Sequence, residues 1–324
     1  MIISRSPLRI SLGGGGTDLP SYFKKKEGMV ISAAINKYVY TTIIKPYKKG
    51  IYLKYSEQEK IKKISQIQHP IIRETLKNYK FLSKQIEITT LADIPSGTGL
   101  GSSGSFTTSL IKGLSYYSGK IINKKELALK ACDIEINKLK APVGMQDQLI
   151  SSYGGIRKFK FKKNGEIKVE NLNISKNTLG GIEENFLLFF TGFTRTSHNV
   201  LKIQKIKSLK NDSKMFENLD EIKKIGYQFS DLLEKNDLQE YAKLMNYHWK
   251  IKQQRSKGMT NRKINFVYNQ ALKNGAIGGK LVGAGGGGFL LFYSKDKIKL
   301  RKKMKSFKLQ ELEFKIDFEG TKLL

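Results

Sequence analysis

The sequence predicts an α+β protein of two domains, with residues 1–178 in the first and residues 179–324 in the second. A chain of 324 residues is long enough to bury two hydrophobic cores. Segments that alternate apolar and polar residues, typical of strands, are interspersed with segments of helical periodicity. Glycine-rich loops interrupt these segments at three places. A polar stretch at residues 177–184, which contains a glycine pair, places the domain boundary.

The first domain begins with a predicted strand at residues 2–12, which leads into four consecutive glycines, Gly13 to Gly16. Residues 28–55 are rich in β-branched and aromatic types and predict further strands. Residues 56–82 are charged, and their isoleucines recur at helical spacing, so a helix is expected there. Beyond the central loop, strands near residues 156–161 and 167–172 complete this domain.

The second domain is predicted to mix strands and helices. Its expected elements are a strand at 186–190, helices at 215–234, after Asp237, at 260–274 and after Asp296, and a final strand at 312–318. A third glycine-rich segment at 278–288 precedes an apolar strand. Because so many glycines would weaken an ordinary strand, this segment is predicted to turn tightly near the other domain.

The second glycine-rich loop, at residues 97–104, connects a predicted strand to a predicted helix. Residues 86–90 alternate as in a strand, and apolar residues from Phe106 recur at helical spacing until Gly119. Glycines let the backbone approach a ligand, and the first helical turn offers unpaired N–H groups. The arrangement therefore predicts a phosphate-binding site.

The kind of phosphate ligand stays open on local pattern alone. Gly99, Gly101 and Gly104 fit a dinucleotide fingerprint, which would make the protein an oxidoreductase. That fingerprint needs an acidic residue at the end of a second strand about 20 residues on, whereas Glu126 falls in a predicted helix that Asn123 is expected to cap. A Walker A loop needs a lysine before Ser102, and the chain has none there. A glycine-rich turn without any ligand is the remaining alternative.

Composition narrows the class of protein. The formal net charge is +31, which would suit a nucleic acid. The lysines are spread along the chain, however, and no aromatic residues alternate with them as in RNA-binding motifs, so we expect no nucleic-acid partner. No apolar run approaches the length of a membrane span, and we expect no membrane association. Cys132 is the single cysteine, which excludes intrachain disulfides and favours a cytoplasmic location. Three scattered histidines offer no zinc cluster.

The loop resembles the ATP-binding motif of the GHMP kinases, the family of galactokinase, homoserine kinase, mevalonate kinase and phosphomevalonate kinase. The resemblance is carried by Pro-x-x-x-Gly-Leu-Gly-Ser-Ser at residues 95–103 and by the third glycine segment. Pro7, Arg9 and Asp18 match the N-terminal motif of the family. The residues that the resemblance implies for ATP binding are Pro95, Gly97, Thr98, Gly99, Leu100, Gly101, Ser102, Ser103 and Gly104.

One departure from the family separates this chain from galactokinase. The Gly-Glu-His that precedes Thr-Asp in galactokinase is replaced by Gly14-Gly15-Gly16. The stretch 6–20 is instead similar to the D-glycero-D-manno-heptose 7-phosphate kinase branch, with fucokinase relatives close by. The resemblance implies that the substrate contacts are Asp18, Gly15, Gly16, Thr17, Gly285 and Gly286. Arg195, which precedes a predicted helix, is a candidate for the substrate phosphate.

Glu135 is the candidate metal ligand. By i+3/i+4 spacing it shares a helical face with small apolar residues such as Ala131, where a carboxylate is costly unless it is paired or bound to a cation. In the family a glutamate of this helix and a serine of the glycine loop bind Mg²⁺, which implies Glu135 and Ser103. The alternative is a glutamate paired with a neighbouring lysine.

Asp147 is the candidate catalytic base. The sequence Gln146-Asp147-Gln148 resembles that of the heptose branch, in which an aspartate at this point would accept the proton of the attacking hydroxyl. Arg9 nearby would keep it ionised and offset charge in the transition state. An aspartate that merely caps a helix is the alternative.

Taken together, the resemblance implies a ribosomal protein S5 domain 2-like first domain and a ferredoxin-like second domain, with ATP and Mg²⁺ bound in the cleft. The activity implied is transfer of the γ-phosphoryl group of ATP to the C1 hydroxyl of D-glycero-alpha-D-manno-heptose 7-phosphate. That reaction gives the 1,7-bisphosphate, a step toward GDP-heptose for surface polysaccharide. A fucokinase-like sugar 1-kinase is the main alternative. A sugar phosphate and ATP are the expected partners, together with a second copy in a homodimer.

Overall fold

The computed structural model describes residues 1–82, 85–193 and 198–324. Its strands are Ile2–Gly13 (β1), Gly28–Ile44 (β2), Gly50–Lys54 (β3), Gln58–Ile61 (β4), Gln85–Ala92 (β5), Ile156–Phe161 (β6), Ile167–Asn171 (β7), Phe186–Phe190 (β8), Ala276–Leu281 (β9), Phe289–Ser294 (β10), Glu311–Leu312 (β11) and Lys322–Leu323 (β12).

Helices connect these strands and cover the sheets. They are Pro20–Lys26 (α1), Pro70–Leu76 (α2), Ser102–Tyr117 (α3), Lys124–Cys132 (α4), Gln146–Tyr153 (α5), Lys176–Asn185 (α6), His198–Leu209 (α7), Ser213–Glu234 (α8), Leu238–Gln253 (α9), Arg262–Lys273 (α10) and Lys297–Ser306 (α11). A π-helical turn, Asp133–Lys138, continues α4, and short 3₁₀ segments flank α2.

The strands form two sheets. The first has the order β12-β1-β2-β5-β3-β4, and the long strand β2 also pairs with β6, which pairs with β7. Only β3 and β5 are parallel neighbours; the other pairs in the described sheet are antiparallel. The second sheet is antiparallel, in the order β11-β8-β10-β9.

Burial of apolar side chains holds the two sheets and their helices together. Helices α3 and α8 both pack on β1 and β2. Leu219, Ile222, Phe229 and Leu233 of α8 are fully buried at helical spacing, as an amphipathic surface helix requires. Helix α9 packs against both α8 and β9, so it joins the second sheet to the first.

Several local predictions are confirmed. The helix after the central loop is α3, and Gly119 beyond its end has φ +74°, as expected of a residue that ends a helix. Asn123 caps α4 by accepting a hydrogen bond from the Glu126 N–H over 2.9 Å. Asp237 likewise caps α9 through the Glu240 N–H.

Two local predictions are wrong. Residues 56–82 are not wholly helical, because β4 pairs with β3 in a hairpin before α2 begins. The strand expected at 312–318 is only Glu311–Leu312, since the chain then leaves the second sheet. Ile316 bridges to Ile35, and β12 pairs with β1 of the first sheet.

The division at residue 178 stays a prediction. Residue 178 lies inside helix α6, and the polar stretch around it is therefore ordered as a helix. The last residues of the chain pair with the first sheet, so that sheet contains strands from both sides of residue 178, whereas all strands of the second sheet follow it. None of the helices in the part of the chain that the structure describes is long and apolar enough to span a membrane.

Candidate active site

A cavity of about 630 Å³ lies between the two sheets and their glycine loops. The predicted site residues that line it are Arg9, Gly15, Gly16, Asp18, Gly97, Gly99, Gly101, Ser102, Ser103, Glu135, Asp147 and Gly285. These residues are spread over almost the whole sequence. The fold therefore gathers most of the predicted site into one place.

The central loop has the backbone that its glycines predict. Gly97, Gly99 and Gly101 have φ angles of +79°, +86° and +80°, a region that favours glycine. No side chain caps α3, so the N–H groups of its first turn are available to an anion. This half of the cavity can hold the phosphates of a nucleotide.

The third glycine segment contacts the central loop directly. A Cβ built on Gly283 would lie 2.6 Å from the Gly99 carbonyl oxygen, and one on Gly288 would lie 2.2 Å from the Thr98 carbonyl oxygen. Both residues also have positive φ angles. Glycine is thus required at both positions, and the two loops form one wall of the cavity.

Arg9 and Asp147 form an ion pair at the foot of the central loop. The Arg9 Nε donates to Asp147 Oδ1 over 2.8 Å, and Nη2 donates to Oδ2 over 2.9 Å. Nη1 donates to the Gly99 carbonyl, and the Arg9 backbone N–H donates to the Leu100 carbonyl. Such a two-point contact fixes the orientation of the carboxylate.

Asp147 is also positioned by packing. Asp147 is the second residue of α5. A Cβ built on Gly104 would lie 2.7 Å from the Cβ of Asp147, so α3 and α5 approach closely here. Its side chain is 28% exposed, whereas that of Arg9 is 8% exposed. The carboxylate therefore faces the cavity and can accept a proton from a bound hydroxyl.

Glu135 lies in the π-helical turn and is only 2% exposed. The Ser103 hydroxyl donates to Oε2, and the Gln148 amide donates to Oε1 over 2.8 Å. Burial raises the pKa of this carboxyl, and the hydrogen bonds from Ser103 and Gln148 partly oppose the increase. Within the described residues its partners are a hydroxyl and an amide, so the ionised group lacks a counter-charge.

This pair fits a magnesium ion. A buried carboxylate next to a serine hydroxyl is a hard oxygen donor set, and Mg²⁺ commonly takes one or two protein ligands together with waters and substrate phosphates. Residues 1–82, 85–193 and 198–324 contain no group of three or more acidic, histidine or cysteine side chains that could enclose a metal alone. The ion would therefore depend on the nucleotide for its remaining ligands.

Asp18 lines the same cavity as Ser103 and Glu135. Its carboxylate accepts hydrogen bonds from the backbone N–H groups of Gly16 (3.0 Å) and Gln146 (3.1 Å). Burial raises its pKa, which the bond from Gln146 partly offsets. A Cβ on Gly144 would lie 1.8 Å from Oδ2, so the loop before α5 closes tightly over this carboxylate. The remaining lone pairs of the Asp18 carboxylate can accept hydrogen bonds from the hydroxyl groups of a substrate.

Some predicted residues do not line the cavity. These are Pro95, Thr98, Leu100, Gly104, Thr17 and Gly286. Leu100 is fully buried in the core. The Thr17 hydroxyl accepts from the Met29 N–H, and the Gly286 N–H donates to the Met259 carbonyl. Leu100, Thr17 and Gly286 therefore support the conformation of the loops and do not face the cavity. Arg195 lies outside the described residues.

Sequence reasoning missed several cavity residues. They are Gln146, Gln204, His248, Lys252, Arg255 and Lys280. One signal was available for Lys252, because it falls on the buried face of α9 at i+3/i+4 spacing from His248 and Trp249. Lys280 lies at the start of the third glycine segment, but nothing local indicates that its side chain is buried.

Comparison with known families defines the class of protein. The GHMP kinases N terminal domain matches residues 65–155, and the GHMP kinases C terminal domain matches residues 229–308. Together the two span just over half of the chain. The protein belongs to the GHMP kinase family and has its two-domain α+β fold, as the sequence predicted. The family assignment favours a nucleoside triphosphate over a dinucleotide at the central loop.

The individual proteins that this chain resembles include sugar kinases. The D-glycero-alpha-D-manno-heptose 7-phosphate kinase of Campylobacter jejuni subsp. jejuni is 29% identical over 303 residues, which cover 90% of this chain and 89% of the relative. The bifunctional fucokinase/GDP-fucose pyrophosphorylase of Arabidopsis thaliana is 26% identical over 319 residues, or 90% of this chain and 29% of the relative.

Solved structures share the fold over the whole chain. A D-glycero-D-manno-heptose 1-phosphate kinase from Bacteroides thetaiotaomicron superposes with a TM-score of 0.82 at 22% identity, covering 100% of this chain and 99% of that chain. A putative sugar kinase from Campylobacter jejuni superposes with a TM-score of 0.73 at 26% identity, covering 100% and 98%.

Proposed function

We propose that the protein transfers the γ-phosphoryl group of ATP to the anomeric C1 hydroxyl of D-glycero-alpha-D-manno-heptose 7-phosphate. The products are ADP and the 1,7-bisphosphate, which a later step would carry toward GDP-heptose. The observation that carries phosphoryl transfer is the Arg9–Asp147 pair, which lies against the glycine loop and faces the cavity. The 29% identity to a heptose 7-phosphate kinase supports the acceptor.

Positioning does most of the work in such a reaction. The backbone N–H groups at the start of α3 and in residues 97–101 would bind the triphosphate. Asp18 would accept hydrogen bonds from hydroxyl groups of the sugar and hold C1 toward Asp147. As the C1 oxygen forms its bond to the γ-phosphorus, the bond to the ADP oxygen breaks, and Asp147 accepts the hydroxyl proton.

Arg9 has two tasks in this scheme. Its bonds to both Asp147 oxygens hold the carboxylate in one orientation, and its charge offsets the negative charge that grows on the transferred group. Ser103 and Glu135 would hold Mg²⁺, which when bound neutralises charge on the phosphate oxygens. The low exposure of Arg9 keeps these interactions in a medium of low dielectric, where they are strongest.

A fucokinase-like sugar 1-kinase is the second candidate. The matches to fucokinase regions extend over about nine tenths of this chain, at 25–26% identity. Such an enzyme would use the same base and the same loop. The difference lies in the acceptor, which carries no phosphate in that case.

A coupled ADP-release assay over a panel of acceptors tests the proposal. The panel contains heptose 7-phosphate, unphosphorylated heptose, fucose, mannose, galactose and mevalonate. We expect the highest kcat/KM for heptose 7-phosphate, by at least about tenfold, since one extra charged contact is typically worth that factor. Efficient turnover of fucose or mannose without turnover of heptose 7-phosphate would contradict the acceptor and leave the kinase intact.

A further inference from the structure

Three cations lie together in the cavity wall on the side of the second sheet. They are Lys252 near the end of α9, Arg255 just beyond it and Lys280 on β9, and each is more than nine tenths buried. All three line the cavity. Among the described residues, no carboxylate oxygen lies within 4.0 Å of any of them. We call these three residues the cationic cluster.

Neutral groups alone contact the cluster. Lys252 Nζ donates to the carbonyls of Leu281, over 3.1 Å, and Gly283. Lys280 Nζ donates to the Leu12 carbonyl and lies 5.3 Å from the centre of the Phe229 ring. These contacts satisfy some of the hydrogen-bond donors of each lysine ammonium group, but a neutral carbonyl or ring does not neutralise its charge.

Arg255 points toward the predicted sugar contacts. Its Nη1 donates to the Gly15 carbonyl over 3.1 Å, and a Cβ on Gly16 would lie 2.5 Å from this atom. Its Nε donates to Asn218 Oδ1 over 3.1 Å, while Nη2 is buried and has no partner in the described part of the chain. Two ring nitrogens of His248, beside the cluster, are also buried without partners there.

Such an arrangement is unfavourable in the absence of an anion. Burial lowers the pKa of Lys280 to about 7. Burial, together with the like charges of Arg255 and Lys280, lowers the pKa of Lys252 well below its usual value. Burial also lowers the pKa of Arg255, to about 10, although the charge of Asp18 partly opposes this change. Buried cations that lack a directly paired carboxylate are retained when they bind something negative. Unpartnered donors on Arg255 and His248 indicate several hydrogen bonds to one acceptor group.

We propose that the cationic cluster binds the phosphate monoester of the acceptor, so that the substrate class is a phosphorylated sugar. This inference rests on the proposed sugar kinase function. Arg255 lies beside Gly15 and Gly16, close to the proposed sugar contact Asp18, so the cluster adjoins the sugar site. A phosphate bound there would anchor the sugar beside Asp18, in the same cavity as Asp147.

The test compares two acceptors that differ only in the phosphate, heptose 7-phosphate and unphosphorylated heptose. We expect the wild type to prefer the phosphorylated sugar by about 100-fold in kcat/KM, and Lys252→Met to lower that ratio at least about tenfold. Lys250→Met is the matched control, because Lys250 lies on the exposed face of the same helix. Its ratio should equal that of the wild type.

Folding does not obscure this comparison. Lys252→Met replaces a buried amine, whose ionised form is costly in the ligand-free protein, with an apolar side chain. The ligand-free variant should therefore melt at an equal or higher temperature than the wild type. Arg255→Lys keeps the charge and shortens the reach, and it should retain more of the phosphate preference than Arg255→Met. An unchanged ratio in both Lys252→Met and Arg255→Met would overturn the proposal. So would a rise in the KM for ATP alone, which would assign the cluster to the triphosphate.

A binding measurement separates this inference from the proposed function. Inorganic phosphate is titrated calorimetrically into the protein with a non-hydrolysable ATP analogue at saturation, so that the nucleotide loop is occupied. Phosphate binding to the wild type and not to Lys252→Met, without turnover of any heptose, would keep the subsite and refute the heptose acceptor. Turnover of heptose 7-phosphate with equal phosphate binding in both proteins would refute the subsite.

Discussion

Two hydrogen bonds from Arg9 fix the orientation of the Asp147 carboxylate, which still faces the cavity. It can therefore act on a substrate bound there. We predict that Asp147→Asn lowers kcat by about 10²- to 10⁴-fold, the usual contribution of a positioned general base. The amide keeps the shape of the side chain, so ATP affinity measured by calorimetry should change little. Asp231→Asn, an exposed carboxylate on α8, is the control. Activity close to wild type in Asp147→Asn would remove the residue from its role.

Glu135 offers a prediction about stability. Burial raises its pKa, so the folded protein favours the protonated form, and the stability that the protonated form supports is lost as the pH rises through the folded pKa. Glu135→Gln should therefore be more stable than the wild type at neutral pH without metal, and no more stable at low pH. Urea unfolding at both pH values measures this.

Magnesium should reverse that order. If Glu135 binds the ion, Mg²⁺ at ten times its Kd stabilises the wild type by about 1.4 kcal/mol and leaves Glu135→Gln unchanged. Glu126→Gln, on the exposed face of α4, serves as the control and should respond as the wild type does. Equal stabilisation of all three proteins would argue against a metal at Glu135.

Lys280 makes stability depend on pH above neutrality. Its pKa is lowered from 10.5 to about 7, so between these values the unfolded chain binds a proton that the folded protein releases. Stability of the ligand-free protein should therefore rise with pH in this window, by up to about 1.4 kcal/mol per pH unit from this group. Lys252 acts in the same direction, while His248 and Arg255 face the same space. A flatter slope in Lys280→Met between about pH 7.5 and pH 9 would support this; an unchanged slope would not.

At the scale of elements, the contact between the two glycine loops makes the cavity. Gly283→Ala must adopt a φ near +80° and place a methyl group 2.6 Å from the Gly99 carbonyl oxygen. Strain and overpacking together should lower the free energy of unfolding by about 2 to 4 kcal/mol and raise the KM for ATP. Gly165→Ala is the control, because its φ is +90° and nothing lies within 4 Å of the added methyl group. Equal losses in the two variants would mean that the loops do not press on each other.

Elements that follow from local chemistry could be predicted. The glycine loop before α3, the Asn123 cap of α4 and the glycine after α3 all depend on residues close in sequence. The pairing of β4 with β3 and the return of the last residues to β1 depend on contacts across the fold. Neither leaves a local pattern, which is why residues 56–82 and 312–318 were assigned incorrectly.

At the scale of the whole molecule, the cavity combines parts that no segment contains alone. The family motifs located Arg9, Asp147 and Glu135, and the structure brings them to one cavity. The cationic cluster escaped prediction because a lysine in a chain of net charge +31 carries no sign that it is buried. Burial is a property of the assembled fold, in which α9 and β9 meet the end of β1.

The measurement that tests the central claim most directly is phosphorus NMR of the product formed from ATP and heptose 7-phosphate. We predict one new phosphate resonance coupled to the anomeric proton, together with the original 7-phosphate signal and one equivalent of ADP. A new phosphate coupled to any other position, or ADP release without a new sugar phosphate, would contradict transfer to C1.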